Sequence, residues 1–145
     1  MKQALSLLTL GVGNLEKSRK FYESLGWKAA SESIEGGVIF FQANGFVLGL
    51  YPQSALTADM EGTGANAAPG GVTLGQNFED EEGMRAGYAA FLAAGGSVVR
   101  APFDAPWGKI AYAADPDGHV WEFAHVPGFE PDAAGGLTLP GERPA

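Results

Sequence analysis

The chain of 145 residues contains no cysteine, two histidines and nine basic residues. The lack of cysteine excludes disulfides, thiolate nucleophiles and sulfur-ligated metal sites. Seventeen acidic residues bring the net charge to −8, which argues against a nucleic-acid partner because its phosphates would be repelled. No apolar run approaches the length that spans a membrane. We therefore expect a cytoplasmic protein with neither a nucleic-acid nor a membrane partner.

The remaining composition is typical of a folded protein. Hydrophobic residues make up 46% of the chain and charged residues 18%. This length is sufficient for one domain with a real core and is short for two independent domains. We predict a single domain over residues 1–126. Residues 127–145 carry proline, glycine and scattered charge without periodicity, so we expect an extended C-terminal tail.

The first half of the chain alternates turn-forming residues with short apolar segments. Asn14 is a typical helix N-cap, and Gly26 can adopt the left-handed conformation that often ends a helix. Asn44-Gly45 is a strong hairpin signal. The predicted elements are a helix between Asn14 and Gly26 and strands over residues 5–12, 27–34, 38–42 and 46–51. Small residues, proline and glycine over 52–70 predict a linker with a short helical turn at 54–60.

The second half repeats this pattern. It predicts a strand over residues 71–77, a helix over 80–94 and strands over 97–103, 109–114 and 119–126. The segment 45–51 matches 118–124, with glycine and valine recurring at an offset of 73 (118 − 45 and 120 − 47). We therefore predict an α+β fold of two βαβββ modules, residues 4–51 and 71–126, which form a curled, cup-like mixed sheet with the helices outside.

Two segments resemble a known family. The first is Leu10-Gly11-Val12-Gly13-Asn14-Leu15 with Ser18, Phe21-Tyr22 and Leu25-Gly26, at the first strand-to-helix junction. The second is Ala114-Asp115-Pro116-Asp117-Gly118-His119-Val120-Trp121-Glu122-Phe123. With the repeated modules, they resemble the vicinal oxygen chelate superfamily over about residues 4 to 126. That superfamily contains glyoxalases, ring-cleaving dioxygenases and bleomycin- or fosfomycin-resistance proteins.

The resemblance implies a divalent metal held by the first and last strands of each module. Carried onto this chain, the ligand positions fall near Leu7, Gly49, Gly71 and Glu122. Only Glu122 offers a ligand atom, and no histidine precedes His119. A site that needs histidine from either first strand cannot be built here, so we predict no bound metal and no cofactor.

Strand alternation assigns the remaining candidates to faces of the last strand. His119 and His125 share a face with Trp121 and Phe123, which we expect to pack on the helix, so both histidines turn away from the cup. Glu122 lies on the opposite face. Two interpretations of Glu122 stay open: it binds a ligand's cation or acts as a catalytic acid or base, or it is a structural residue hydrogen-bonded to its neighbours.

The same alternation predicts a small, apolar and lightly hydroxylated cup lining, which suits a partly apolar guest. The predicted ligand-binding residues are Leu7, Thr9, Tyr51, Thr73, Trp107 and Glu122. Glu122 and the Gly49 position are expected to face each other across the interior. An alternative role for Trp107 is to pin its loop or to pack at a dimer interface.

These expectations favour a metal-free protein that binds and sequesters a small organic ligand and forms a homodimer. A second hypothesis is a metal-dependent lyase, isomerase or dioxygenase of the glyoxalase type. A third is a metal-independent enzyme that uses Glu122 as acid or base. Whether any reaction is catalysed stays open, because a fold resemblance alone does not establish a reaction.

Overall fold

The structure is a computed structural model that describes residues 1–61 and 66–145. It contains two compact units, residues 1–71 and 72–145. Each unit combines helices with one mixed sheet, of three strands in the first unit and four in the second, which confirms the α+β fold class. No helix in the described part of the chain is long and apolar enough to cross a membrane.

The first unit is built around a three-stranded sheet. Its elements are β1 (Leu7–Val12), α1 (Leu15–Ser24), β2 (Ile39–Gln42), β3 (Val47–Pro52) and α2 (Gln53–Asp59). The strand order is β1-β3-β2, with β1 parallel and β2 antiparallel to β3. The Asn14 side chain accepts a hydrogen bond from the Lys17 backbone N–H at 2.8 Å, so the predicted N-cap is confirmed. Tyr22 of α1 packs on Phe41 of β2, which places the core between helix and sheet.

The strand predicted over residues 27–34 is wrong. Only isolated bridges form there, between Ala29 and Phe41 and between Ile34 and Val38. The reason is a competing side-chain hydrogen bond, because the Ser33 hydroxyl accepts the Phe40 backbone N–H at 3.0 Å. Serine side chains often replace strand ladders with local hydrogen bonds in this way.

The second unit contains β4 (Thr73–Asn77), α3 (Glu81–Ala93), β5 (Ser97–Ala105), β6 (Gly108–Ala114), β7 (Val120–His125) and a 3-10 turn (Pro140–Glu142). The strand order is β4-β7-β6-β5, with β4 parallel to β7. Phe91 of α3 contacts Trp121 and Phe123, with ring centroids 6.2 and 5.1 Å apart. The predicted helix-facing pair is therefore confirmed, and the alternate residues of β7 point to the other face.

The Asp-Pro-Asp-Gly sequence is a structural turn before β7. The buried Asp115 carboxylate accepts hydrogen bonds from the backbone N–H groups of Asp117 and His119, both at 2.9 Å. Gly118 takes a positive φ of 91°, which favours glycine. This turn sets where β7 begins, and thereby which face receives Glu122.

The linker contains the short helical turn predicted there, and the tail is hydrogen-bonded to the second unit. The linker, residues 52–70, includes the helix α2, while its residues 62–65 lie outside the described residues. The tail is tied to the second unit. The Asn77 side chain donates to the Phe129 carbonyl at 3.3 Å, and Arg143 donates to the Gly128 carbonyl at 3.1 Å.

We predict that Ser18→Ala raises the free energy of unfolding by about 1 kcal/mol. The Ser18 side chain is fully buried in α1, and its hydroxyl oxygen has no hydrogen-bond partner among the described residues. An unsatisfied buried hydroxyl carries a desolvation cost that alanine removes. Urea unfolding measures the change.

Ser24→Ala is the matched control in the same helix, because the exposed Ser24 hydroxyl donates to the Lys20 carbonyl at 2.7 Å. Both variants gain the higher helix propensity of alanine, so the difference between them compares a buried, unpaired hydroxyl with an exposed, hydrogen-bonded one. A Ser18→Ala variant no more stable than Ser24→Ala would contradict the prediction.

Candidate functional site

The first unit presents a small apolar face on the side of its sheet opposite α1. Gly49 lies at its centre. A Cβ atom at Gly49 would lie 3.4 Å from Thr9 Oγ1, 3.6 Å from Leu7 Cδ1 and 3.6 Å from Phe40 Cε1. The structure therefore brings the predicted residues Leu7 and Thr9 together around Gly49. Phe40 was missed, although the apolar run 39–41 indicates a strand that is buried on both faces.

A cavity of about 380 Å³ opens at one end of this face. Its volume lies in the range of small-molecule sites, which are mostly apolar with a few polar groups. Leu7 is the one predicted site residue that lines it. The lining residues are Ser6, Leu7, Ala30, Glu32, Phe40, Gln42 and Val47.

The opposite end of this face is covered by the chain itself. A Cβ atom at Gly11 would lie 2.7 Å from the Ala67 Cβ, so the segment after α2 packs directly on the strand there. Tyr51, which pairs with Gly11, belongs to this end. The Tyr51 hydroxyl hydrogen-bonds to Asp59 at the end of α2, and Tyr51 does not line the cavity. The charge of the Asp59 carboxylate and this hydrogen bond raise the pKa of Tyr51.

The second unit carries a hydrogen-bonded pair on the face of its sheet opposite α3. Tyr112 and Glu122 are register partners on β6 and β7, and the Tyr112 hydroxyl donates to Glu122 Oε2 at 2.7 Å. Phe103 of β5 stacks on Tyr112, with centroids 6.4 Å apart. Gly75 pairs with Glu122 from the other side, and its missing side chain leaves space near Oε1. Glu122 is therefore positioned by Tyr112, a residue that sequence reasoning did not single out.

The electrostatics of this pair keep Tyr112 protonated. The hydrogen bond to Glu122, burial and the negative charge of Glu122 together raise the pKa of Tyr112. Ionisation would place two negative charges side by side and remove the donor proton. The Tyr112 hydroxyl is thus held as the hydrogen-bond donor to Glu122.

Thr73 and Trp107, the other predicted ligand-binding residues of this unit, lie at different positions along the strands from Glu122. Thr73 shares the Glu122 face and pairs with Val120, two residues along the strand. Trp107 is 62% exposed at the tip of the β5–β6 hairpin. Its neighbour Gly108 lies four residues from Tyr112 on β6, about 13 Å at the rise of a strand. The structure does not bring Trp107 beside Glu122.

Neither histidine faces this pair. The His119 backbone N–H belongs to the Asp115 turn, and its side chain is buried. His125 Nδ1 lies 3.2 Å from the Phe78 carbonyl oxygen. Both positions have structural explanations, and both alternate with Glu122 along β7.

Comparison with known proteins decides the family. The model of the Glyoxalase/Bleomycin resistance protein/Dioxygenase superfamily matches residues 4–123. The chain belongs to this superfamily. No curated protein matches the chain in sequence.

Solved structures of the superfamily share the fold. A glyoxalase-related enzyme from Fulvimarina pelagi is 36% identical, with a TM-score of 0.85, covering 95% of this chain and 99% of that chain. A glyoxalase/bleomycin resistance protein from Albidiferax ferrireducens T118 is 28% identical, with a TM-score of 0.63, covering 85% and 98%. A lactoylglutathione lyase from Agrobacterium tumefaciens is 20% identical, with a TM-score of 0.66, covering 86% and 95%; at that identity the likeness concerns the fold alone.

Strand register corrects one of the superfamily ligand positions. Leu7 pairs with Val47 in the first unit, and Thr73 pairs with Val120 in the second, so Thr73 is the equivalent of Leu7. The assignment to Gly71 was wrong by two residues, because β4 begins at Thr73 and Gly71 precedes it with a left-handed φ of 69°.

The residues at these positions do not fit a divalent metal. Leu7 and Gly49 offer no side-chain ligand, Thr73 offers a neutral hydroxyl, and Glu122 already accepts the Tyr112 hydroxyl. Within residues 1–61 and 66–145, no three histidine, aspartate or glutamate side chains are grouped as a metal site needs. Sites for metals of this kind normally use at least three such ligands.

We predict that protein purified without chelator contains far less than one equivalent of zinc, nickel, manganese or iron. The physical reason is the ligand set above, in which a single carboxylate replaces three or four donors. Elemental analysis of the purified chain measures the content. A stoichiometric metal that is lost in Glu122→Gln would contradict the prediction.

We also predict that Glu122→Gln lowers the pKa of Tyr112 toward its ordinary value of 10.0, because the charge and the charged acceptor are removed. The raised pKa means that the native state holds this proton more tightly than the unfolded chain. This tighter proton binding stabilises the native state fully below a pH of about 10. The stabilisation is lost as the pH rises through the higher pKa of Tyr112 in the native state.

Titration of tyrosinate absorbance measures this shift, with Tyr112→Phe identifying the signal. Asp59→Asn is the matched control, because it should lower the pKa of Tyr51 and leave that of Tyr112 in place. An unchanged Tyr112 titration in Glu122→Gln would show that the hydrogen bond does not hold the proton.

Proposed function

We propose that this protein binds a small organic molecule without a metal, and that Glu122 is the polar contact. The observation that carries the proposal is the Tyr112–Glu122 hydrogen bond on the sheet face opposite α3. One carboxylate oxygen is held by Tyr112, so the carboxylate has a defined orientation before any ligand arrives. Preorganised polar groups of this kind reduce the entropy cost of binding.

The second carboxylate oxygen is the one available to a ligand. A Cβ atom at Gly75 would lie 4.0 Å from Glu122 Oε1, so an alanine would just touch it and glycine leaves that volume empty. Gly75 itself is exposed. A ligand ammonium or N–H group in this space would donate to Oε1 while its apolar body lies against Tyr112 and Phe103.

The apolar cavity of the first unit is by itself a second candidate site for a small molecule with an apolar body. Its apolar lining residues are Leu7, Ala30, Phe40 and Val47, and its polar ones are Ser6, Glu32 and Gln42. Thr9 and Leu7, two of the predicted ligand-binding residues, lie on the same face. This combination of apolar wall and few polar groups is common in small-molecule sites.

The alternative function is catalysis by the same pair. Its support is the Fulvimarina pelagi structure, described as a glyoxalase-related enzyme and 36% identical to this chain. In such a reaction Glu122 would act as base and Tyr112, protonated at neutral pH, as acid. Turnover that is abolished by Glu122→Gln and by Tyr112→Phe, and insensitive to chelator, would favour this function over sequestration.

A homodimer remains part of the proposal. β5 is an edge strand of its sheet, and its residues Val98 and Val99 are 59% and 52% exposed. Exposed apolar edges commonly pair with another chain. We expect light scattering to give twice the mass of one chain at micromolar concentration, and a monomer there would contradict the expectation.

We predict that Glu122→Gln weakens binding of a cationic aromatic ligand by about 1.5–3 kcal/mol, the scale of a hydrogen bond to a charged group. A thermal-shift screen of aromatic amines with the full chain selects the ligand, because ligands of the native state raise its melting temperature. Calorimetric titration then gives the affinities. Glu79→Gln is the control for net charge, because Glu79 is exposed in the bend that precedes α3.

We further predict that Gly75→Leu abolishes binding of the same ligand, while Gly75→Ala weakens it less. Gly75 lies in a strand without a left-handed φ, so both substitutions are compatible with the backbone. The leucine side chain would fill the space beside Oε1. Full affinity in Gly75→Leu would place the ligand elsewhere.

A further inference from the structure

Arg100 lies next to the aromatic residues of the same sheet face. Its guanidinium carbon is 3.3 Å from the centroid of the Phe103 ring, a cation–π contact. Arg100 is exposed on β5. The ion pairs found among the described residues use Arg19, Lys20, Lys109 and Arg143, and none uses Arg100. In a chain with a net charge of −8, this guanidinium is held by a ring instead of a carboxylate.

An irregularity in β5 brings Arg100 and Phe103 to one face. They are three residues apart, and in a regular strand such residues point to opposite faces. The pairing of β5 with β6 shifts register between Val98 and Arg100 and again between Arg100 and Phe103. Shifts of this kind re-aim side chains and are frequent next to functional sites.

The register places Arg100 and Glu122 at opposite sides of Tyr112. Arg100 pairs with Tyr112 on β6, and Tyr112 pairs with Glu122 on β7. The two charged residues are therefore two strand spacings apart, about 10 Å. The positive charge of Arg100 acts on the Tyr112 hydroxyl, lowering its pKa against the larger effect of Glu122. The face thus has a guanidinium stacked on Phe103 at one side, the Tyr112 ring in the middle and a carboxylate at the other side.

We propose that this face binds amphoteric aromatic molecules, with the ligand's anionic group at Arg100 and its cationic group at Glu122. The contact between the ligand's cationic group and Glu122 rests on the proposed function. The contact between its anionic group and Arg100 is new. A guanidinium presents planar paired donors that match a carboxylate, and stacking on Phe103 restricts its orientation in advance. The ligand's ring would lie on Tyr112 between the two charges.

Three small probes test the two ends separately in the full chain. 4-(Aminomethyl)benzoate carries both charges on one ring, benzoate carries the anion alone, and benzylamine carries the cation alone. Dissociation constants come from nuclear magnetic resonance titration of the backbone amides of each variant. The variants are Arg100→Gln and Glu122→Gln, with Arg85→Gln as the matched control because Arg85 is exposed on α3, behind the sheet.

We expect Arg100→Gln to weaken benzoate and 4-(aminomethyl)benzoate about threefold to fivefold, the scale of an exposed ion pair, and to leave benzylamine unchanged. Glu122→Gln should weaken benzylamine and 4-(aminomethyl)benzoate and spare benzoate. Arg85→Gln should change none of the three. In the wild type, the two-charge probe should bind more tightly than either one-charge probe.

If benzoate and 4-(aminomethyl)benzoate bind Arg100→Gln as tightly as the wild type, the proposed contact between Arg100 and the ligand's anionic group is overturned. This holds for any result with benzylamine. An equal loss in Arg85→Gln would also overturn it, since the effect would then be one of net charge. Failure of the proposed function appears differently, as benzylamine binding that is independent of Glu122 while the dependence of benzoate on Arg100 persists.

Discussion

The parallel pairing of the first strand of each unit with its last strand is the constraint on which the rest of the structure depends. β1 pairs in this way with β3, and β4 with β7. A parallel pair needs a long crossover, and here α1 and α3 begin the two connections. The helix then covers one sheet face, so the alternate residues of the paired strands are left on the other. Thr9 and Gly49 meet there in the first unit, as do Gly75 and Glu122 in the second.

The two units use this shared geometry for different chemistry. In the first, the face is apolar, and Phe40 and Leu7 lie near the position where the resemblance implies a metal ligand. In the second, the corresponding strand carries a carboxylate whose partner is a phenol. The superfamily scaffold is therefore retained while its ligand set is not. Leucine, glycine and threonine occupy three of the four positions, and this lining supports the proposed binding of an organic molecule.

Charge on the face opposite α3 is arranged across strands. Glu122, Tyr112 and Arg100 occupy one register row on three neighbouring strands, and Phe103 lies beneath the guanidinium. Tyr112 lies between the two opposite charges, which are therefore not in direct contact. In the proposed binding mode, each charge contacts a separate group of the ligand. Such separation favours recognition by charge pattern over simple affinity for one ion.

Local sequence patterns determined much of this protein in advance. Strand alternation placed Glu122 on one face and Trp121 with Phe123 on the other, and Asn14 marked the start of α1, as the structure confirms. These features follow from the dihedral periods of strands and helices, which act over a few residues. The fold class followed from the repeat of these patterns.

The contacts across strands were decided only by the tertiary structure. Tyr112 reaches Glu122 through the register of β6 on β7, and Arg100 reaches Phe103 through the irregular pairing of β5. Register depends on turn geometry and on bulges, which leave little trace in residue periodicity. The same limit explains the two-residue error at Gly71 and the lost strand at 27–34, where the Ser33 hydroxyl replaced a ladder hydrogen bond. Periodicity specifies which face a side chain takes, and only packing specifies what it meets there.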